Sequence, residues 1–132
     1  MIRVLLAQFP LETHSRGMIV VAHYLRDAGM EVVLLGNCTT DQIIKSAIEE
    51  DADIVGISTY CGGELVLGKA LLEGAKKADI DRRVGFLIGG VIPQGNVPKL
   101  KEIGFAGVFL TATRNEIVDC IKGVVSGHKI GA

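Results

Sequence analysis

Cysteine is scarce in this chain: Cys38, Cys61 and Cys120 are all it has. An odd, widely spaced set makes neither a disulfide framework nor a zinc site, so the three are read as reduced thiols, with Cys61 packing in a loop. Charge of one sign is missing too. Fourteen Lys and Arg face fifteen Asp and Glu, for a net charge of −1. Without a basic stripe or arm, nucleic acid is excluded as a partner. Without a charged amphipathic stretch, so is a membrane surface. The longest apolar runs, such as residues 18–22, are far too short to span a bilayer. No leader is visible, because Met1 runs straight into a strand-like segment, and the expected location is the cytoplasm. Tryptophan is absent and aromatic residues make up only 5 %, which leaves little for a site built on stacked rings.

What is present is ordinary apolar content, 48 %, and seventeen glycines in 132 residues. That length is one domain, residues 1–132, able to bury roughly two thirds of the surface its unfolded chain exposes. So many glycines mark tight turns, or backbone that must lie close to something.

Short apolar runs bounded by polar residues recur at 2–7, 31–35, 53–58, 84–89 and 107–110. Near-continuous apolar strands of this kind suit a parallel sheet covered on both faces. Helical spacing fills the gaps. Met18, Val21, Ala22, Leu25 and Ala28 form one stripe, stopped by Gly29. Ile43, Ile44, Ala47 and Ile48 form another, opened by a Thr39/Gln42 capping box. Leu65, Leu71, Leu72 and Ala75 mark a third helix, weakened by Gly68 and Gly74. A short fourth runs from Pro98 to Ile103 and stops at Gly104, and Thr113 with Glu116 opens a fifth. Residues 127–132 are read as a frayed tail. Five right-handed βα units predict an α/β flavodoxin-like (Rossmann-type) fold: a doubly wound five-stranded parallel sheet in the order 2-1-3-4-5, with helices on both faces.

Ligands of such sheets bind at the carboxyl ends of the strands, where the winding reverses. The loops there hold Gln8 to Gly17 after the first strand, Ser58 to Gly63 after the third, Gly89 to Pro93 after the fourth and Leu110 to Thr113 after the fifth. The first is longer than most βα connections, as functional loops tend to be. Paired Gly89 and Gly90 at a strand end clear a corridor along the sheet edge. A phospho-acceptor receiver domain needs carboxylates where Gln8 and Ser58 stand, so that reading fails. A flavodoxin needs a hydroxyl-rich phosphate loop, for which only Thr13 and Ser15 are available, although Phe9 and Tyr60 keep a flavin open. No dinucleotide glycine pattern follows the first strand. His23 falls on the polar face of the first helix, and neither it nor His128 has a polar constellation around it.

Glu12-Thr13-His14-Ser15-Arg16-Gly17 resembles the Asp-x-His-x-x-Gly motif of the cobalamin-binding domains of adenosylcobalamin-dependent mutases. Ser58-Thr59-Tyr60 is similar to that family's Ser-x-Leu, and Gly89-Gly90 to its Gly-Gly. The stretches LRDAGMEVV, AIEEDADIVGIS and IGGVIP look most like the cobalamin domain of methylmalonyl-CoA mutase and related acyl-CoA mutases, and the likeness runs through essentially the whole chain.

The resemblance implies a small subunit that binds adenosylcobalamin with the cofactor's own benzimidazole displaced from cobalt. His14 would be the lower axial ligand, with Glu12 accepting from its second nitrogen. Ser58 would bond the displaced base, and Gly89 and Gly90 would let the nucleotide tail pass. Thr13, Ser15, Arg16, Gly17, Tyr60, Gly62 and Thr111 complete the implied cofactor contacts. A separate large subunit, a (β/α)₈ barrel, is implied for the substrate, and a homo-oligomer of the isolated chain is left open. Two departures stand out: Glu12 is one methylene longer than the family's Asp, and Tyr60 is bulkier than its Leu. Corrinoid carriers of methyl groups place a helical cap before this fold, and the first strand opens directly here, which favours the mutase. A regulatory domain without a catalytic partner is the other alternative.

Overall fold

The computed structural model describes residues 1–60 and 62–131, with side chains through His128. The chain alternates strand and helix: β1 (Arg3–Gln8), α1 (Arg16–Asp27), β2 (Glu31–Asn37), α2 (Thr40–Glu49), β3 (Ile54–Thr59), α3 (Glu64–Lys77), β4 (Gly85–Gly90), α4 (Val97–Ile103), β5 (Gly107–Phe109) and α5 (Arg114–Gly131). A short 3₁₀ turn at Gln94–Asn96 leads into α4. All strand pairs are parallel and the order is β2-β1-β3-β4-β5, as the alternating pattern predicts.

Strand ends differ from the sequence reading by one or two residues. At the carboxyl edge, Ser58 and Gly89 lie within β3 and β4, inside the runs read as strands, while Gly90, expected in the loop, closes β4. α5 continues through Gly131, into the stretch expected to fray, while Ala132 lies outside the described residues.

Helices α1 to α4 all turn back toward the sheet by one device. After each, a residue with positive φ follows: Gly29, Asp51, Asp79 or Gly104. The next amide then reaches five residues back, as in Met30 N to Leu25 O (3.0 Å), Ala52 N to Ala47 O (3.0 Å), Ile80 N to Ala75 O (3.0 Å) and Phe105 N to Leu100 O (3.2 Å). These bonds satisfy carbonyls that a helix end leaves orphaned. Asp tolerates the left-handed region better than most non-glycine residues, which explains Asp51 and Asp79 there. At the opposite end, Thr39 and Gln42 form the expected reciprocal capping box of α2.

The sheet separates two cores. Leu5, Val55, Phe86 and Ile88 pack on one face against Ile43 of α2, Leu71 of α3 and Leu100 of α4. Val4, Leu6, Ile54 and Leu87 pack on the other against Met18, Ala22 and Leu25 of α1 and Ile117 and Ile121 of α5. β2 is an edge strand and only half-buried; Leu34 is exposed there.

Candidate functional site

The carboxyl edge begins at the loop between β1 and α1, and Glu12 organises it. Its side chain is buried, although it is a carboxylate in a loop. Burying a charge is costly unless partners satisfy it, and they do. Oε2 accepts from the backbone amides of Thr13 and His14, both at 3.1 Å, and lies 3.1 Å from His14 Nδ1. Oε1 accepts from the backbone amide of Tyr60, across on the loop after β3. The extra methylene of Glu12 therefore does not cost the contact with histidine. One carboxylate spans two loops and orients an imidazole.

His14 has the opposite character: its side chain is 63 % exposed, against 3 % for Glu12. With Nδ1 on a carboxylate, the favoured tautomer carries its proton at Nδ1, and Nε2 keeps a free lone pair. The ring sits beside that of Tyr60, with centroids 5.4 Å apart and planes tilted by 36°. Thr13 Oγ1 is 3.5 Å from the same Nδ1. Among the described residues there is no cluster of three or more His, Cys, Asp or Glu side chains fit to cage a free ion. A lone imidazole holds a metal when a prosthetic group fills the metal's other positions.

Beside this rim a cavity of about 180 Å³ runs between the sheet and helices α1 and α5. Its upper end is framed by Gly17, Ser58, Tyr60, Gly89 and Gly90, and its depth by Leu6, Met18, Val21, Phe109, Ile117 and Ile121. The glycines let neighbouring segments close tightly around this end. A Cβ on Gly90 would run into the carbonyl of Thr59, and φ of +135° at that residue disfavours any side chain. A Cβ on Gly89 would press the carbonyl of Phe109 at 3.2 Å. At Gly17 it would strike the hydroxyl of Tyr60. An apolar slot with Ser58 at its upper end suits a flat aromatic heterocycle that offers a nitrogen or oxygen for hydrogen bonding.

The expected residues thus divide. Glu12 and His14 form the rim, with Thr13 beside them. Gly17, Ser58, Tyr60, Gly89 and Gly90 line the cavity. Thr111 is exposed, and its neighbours Leu110 and Ala112 do the lining instead. Ser15 is the N-cap of α1 without a side-chain cap bond, Arg16 is exposed at the first helical position, and Gly62 is an exposed turn residue with φ of +82°. Cys61 lies outside the described residues. Three contributors escaped the sequence reading. Gly56 lines the cavity from mid-strand, where a Cβ would meet Leu6 at 2.8 Å; a glycine inside a strand is itself a signal of close approach. Buried Gln8 donates through Nε2 to the carbonyl of His14. Asn37, at the end of β2, reaches the same loop. Neither amide gave a motif to find.

Burial raises the thiol pKa of Cys38 and Cys120 above the usual cysteine range. In Cys120 the positive charge of Lys101 opposes part of that rise. Neither is a primed nucleophile.

Known proteins resemble this chain along most of its length. Residues 2–118 match the B12 binding domain family. The chain is 38 % identical over 122 residues to the pivalyl-CoA mutase small subunit of Xanthobacter autotrophicus, covering 91 % of this chain and 81 % of that one. It is 38 % identical over 132 residues to the 2-hydroxyisobutanoyl-CoA mutase small subunit of Aquincola tertiaricarbonis, covering 96 % and 94 %. A cobalamin-binding protein of Desulfitobacterium hafniense superposes with a TM-score of 0.79 at 22 % identity, over 92 % of this chain and 58 % of that one, which speaks to the fold. The chain belongs to the B12-binding domain family, in company with the small subunits of acyl-CoA mutases.

Proposed function

We propose that this chain is the small subunit of an adenosylcobalamin-dependent acyl-CoA mutase and holds its cofactor base-off, with His14 Nε2 as the lower axial ligand of cobalt. The observation that carries the reading is the Glu12–His14 pair on the rim, beside a glycine-framed apolar cavity. The 38 % identity to two mutase small subunits supports it. When bound, adenosylcobalamin supplies the homolytic carbon–cobalt cleavage that starts a radical rearrangement. The chain's own part is ligation and orientation. Glu12 fixes the imidazole tautomer and its orientation. Ser58, Gly17, Gly89 and Gly90, which line the cavity, would hold the cofactor's base and nucleotide tail.

The substrate belongs to a partner, a large subunit with a (β/α)₈ barrel. After Met1, the most exposed large apolar side chains among the described residues are Leu11, Val66 and Val91, at 88 %, 75 % and 64 %. They stand on the loop after β1, the first turn of α3 and the loop after β4, all on the carboxyl edge. An apolar rim around the cofactor's face fits a covering subunit.

Reconstitution tests the reading. The chain should retain adenosylcobalamin through gel filtration with a spectrum that keeps an axial nitrogen, His14→Ala should turn that spectrum to the base-off form, and acyl-CoA isomerisation should require the chain, the cofactor and a large mutase subunit. A chain that retains no cofactor, or whose bound cofactor already shows the base-off spectrum, would overturn the proposal.

A further inference from the structure

We infer that Asn37 is a positioning residue that holds the histidine loop in its metal-ready shape. The inference rests on the ligation reading above, and it concerns a residue on another strand. Asn37 closes β2, paired with Gln8 of β1. Between them the register slips: Leu6 faces Leu34, but Ala7 faces Gly36, so β2 carries one extra residue. Gly36 takes φ of +83°, which a side chain would resist. A bulge of this kind bends a strand and re-aims the side chain that follows it.

Here it sends the amide of Asn37 under the β1–α1 loop. Nδ2 donates to Glu12 O at 2.6 Å and to Phe9 O at 3.0 Å, with Pro10 O at 3.4 Å. One amide group thus gathers three carbonyls of residues 9–12. The Asn37–Cys38 segment adds a backbone bond from Cys38 N to Gln8 O at 2.8 Å. Gln8 in turn donates to the carbonyl of His14.

The geometry matters because Glu12 is held at both ends. Its carbonyl hangs on Asn37, while its carboxylate bridges His14 and Tyr60. Releasing the carbonyl frees the backbone from which the carboxylate reaches the imidazole. Three carbonyl oxygens facing one side chain also need a donor. Aspartate at 37 is nearly isosteric but would oppose them with negative charge, and alanine would remove the shared donor, leaving Phe9 O only the backbone amide of Glu12 at 3.1 Å among the bonds described.

The test compares wild type, Asn37→Asp and Asn37→Ala. In each apo-protein, ¹H–¹⁵N spectra of the His14 ring, assigned by its loss in His14→Asn, report the tautomer. Cob(II)alamin titration reports affinity, and thermal melting reports the fold. The wild-type ring should sit in the Nδ1–H tautomer. Both variants should shift toward the mixture of a free imidazole and bind about tenfold more weakly, while still melting cooperatively. If one variant fails to fold, the other decides. An unchanged tautomer with affinity within twofold of wild type would overturn the role of Asn37. Failure of the wild type to bind cobalamin would overturn the ligation reading instead, and the tautomer comparison would still judge the brace.

Discussion

The carboxylate of Glu12 and the imidazole of His14 are joined at 3.1 Å, one side chain buried and the other open to solvent. Burial fixes the orienting group, and exposure leaves the ligand nitrogen free. Removing each should have different consequences. His14→Ala deletes the axial donor and should weaken cobalamin binding more than Glu12→Gln, which keeps one oxygen acceptor. For the latter, about tenfold is expected, the low end for loss of a group that orients a metal ligand. Absorbance titration of both variants checks the order; equal losses would make Glu12 essential to the pocket itself.

The cavity between the sheet and α1 and α5 should be the tail site and separable from the rim. Val21→Phe fills it from α1, away from His14. The variant should fold, since overpacking typically costs about 1–3 kcal/mol, and should lose affinity for complete cobalamin much more than for cobinamide, which lacks the nucleotide. Parallel titrations with the two ligands read the difference.

Gly17 and Tyr60 meet at the upper end of the same cavity. Gly17→Ala should displace the Tyr60 ring and lower the melting temperature modestly. In a Tyr60→Phe background, where the hydroxyl is gone, the same substitution should cost less. Gly90→Ala has no such remedy, because its Cβ meets the carbonyl of Thr59, and the combined clash and backbone strain should cost more than 1 kcal/mol. Melting curves of the four variants test this.

The fold was legible because its signals are local. Apolar runs, capping residues and stop glycines gave five βα units, and the chirality of βα crossovers left the order 2-1-3-4-5. The rim residues were legible as a motif on one loop. What escaped depends on contacts between distant segments. Asn37 lies 25 residues from Glu12 and is one amide among many in sequence. The bulge at Gly36 that aims it becomes visible only in the register of β1 against β2. Gly56 carried a local signal, a glycine inside an apolar strand, but its use requires knowing that Leu6 lies opposite. Thr111 is exposed while Leu110 and Ala112 on either side of it line the cavity, a choice of side that the sequence pattern did not show.

Burial makes the thiols of Cys38 and Cys120 poor thiolates. A raised pKa means a smaller deprotonated fraction at any pH below it. In a Cys61→Ser variant, where only these two report, alkylation at pH 8 should be slower than for a free thiol and should accelerate on unfolding in urea. Mass spectrometry over time reads both rates.

The exposed apolar rim should matter to the partner and not to the cofactor. Leu11→Asp with Val91→Asp should weaken association with the large subunit at least tenfold and leave the absorption spectrum of bound cobalamin unchanged. Analytical ultracentrifugation and the spectrum together separate the two effects.

Ligation of cobalt by His14 is tested most directly by electron paramagnetic resonance of the cob(II)alamin-loaded protein with ¹⁵N-labelled histidine. The axial nitrogen splitting should change from a triplet to a doublet on labelling, and the histidine coupling should vanish in His14→Ala. A triplet that ignores the label, or a labelled-histidine splitting that survives in His14→Ala, would contradict it.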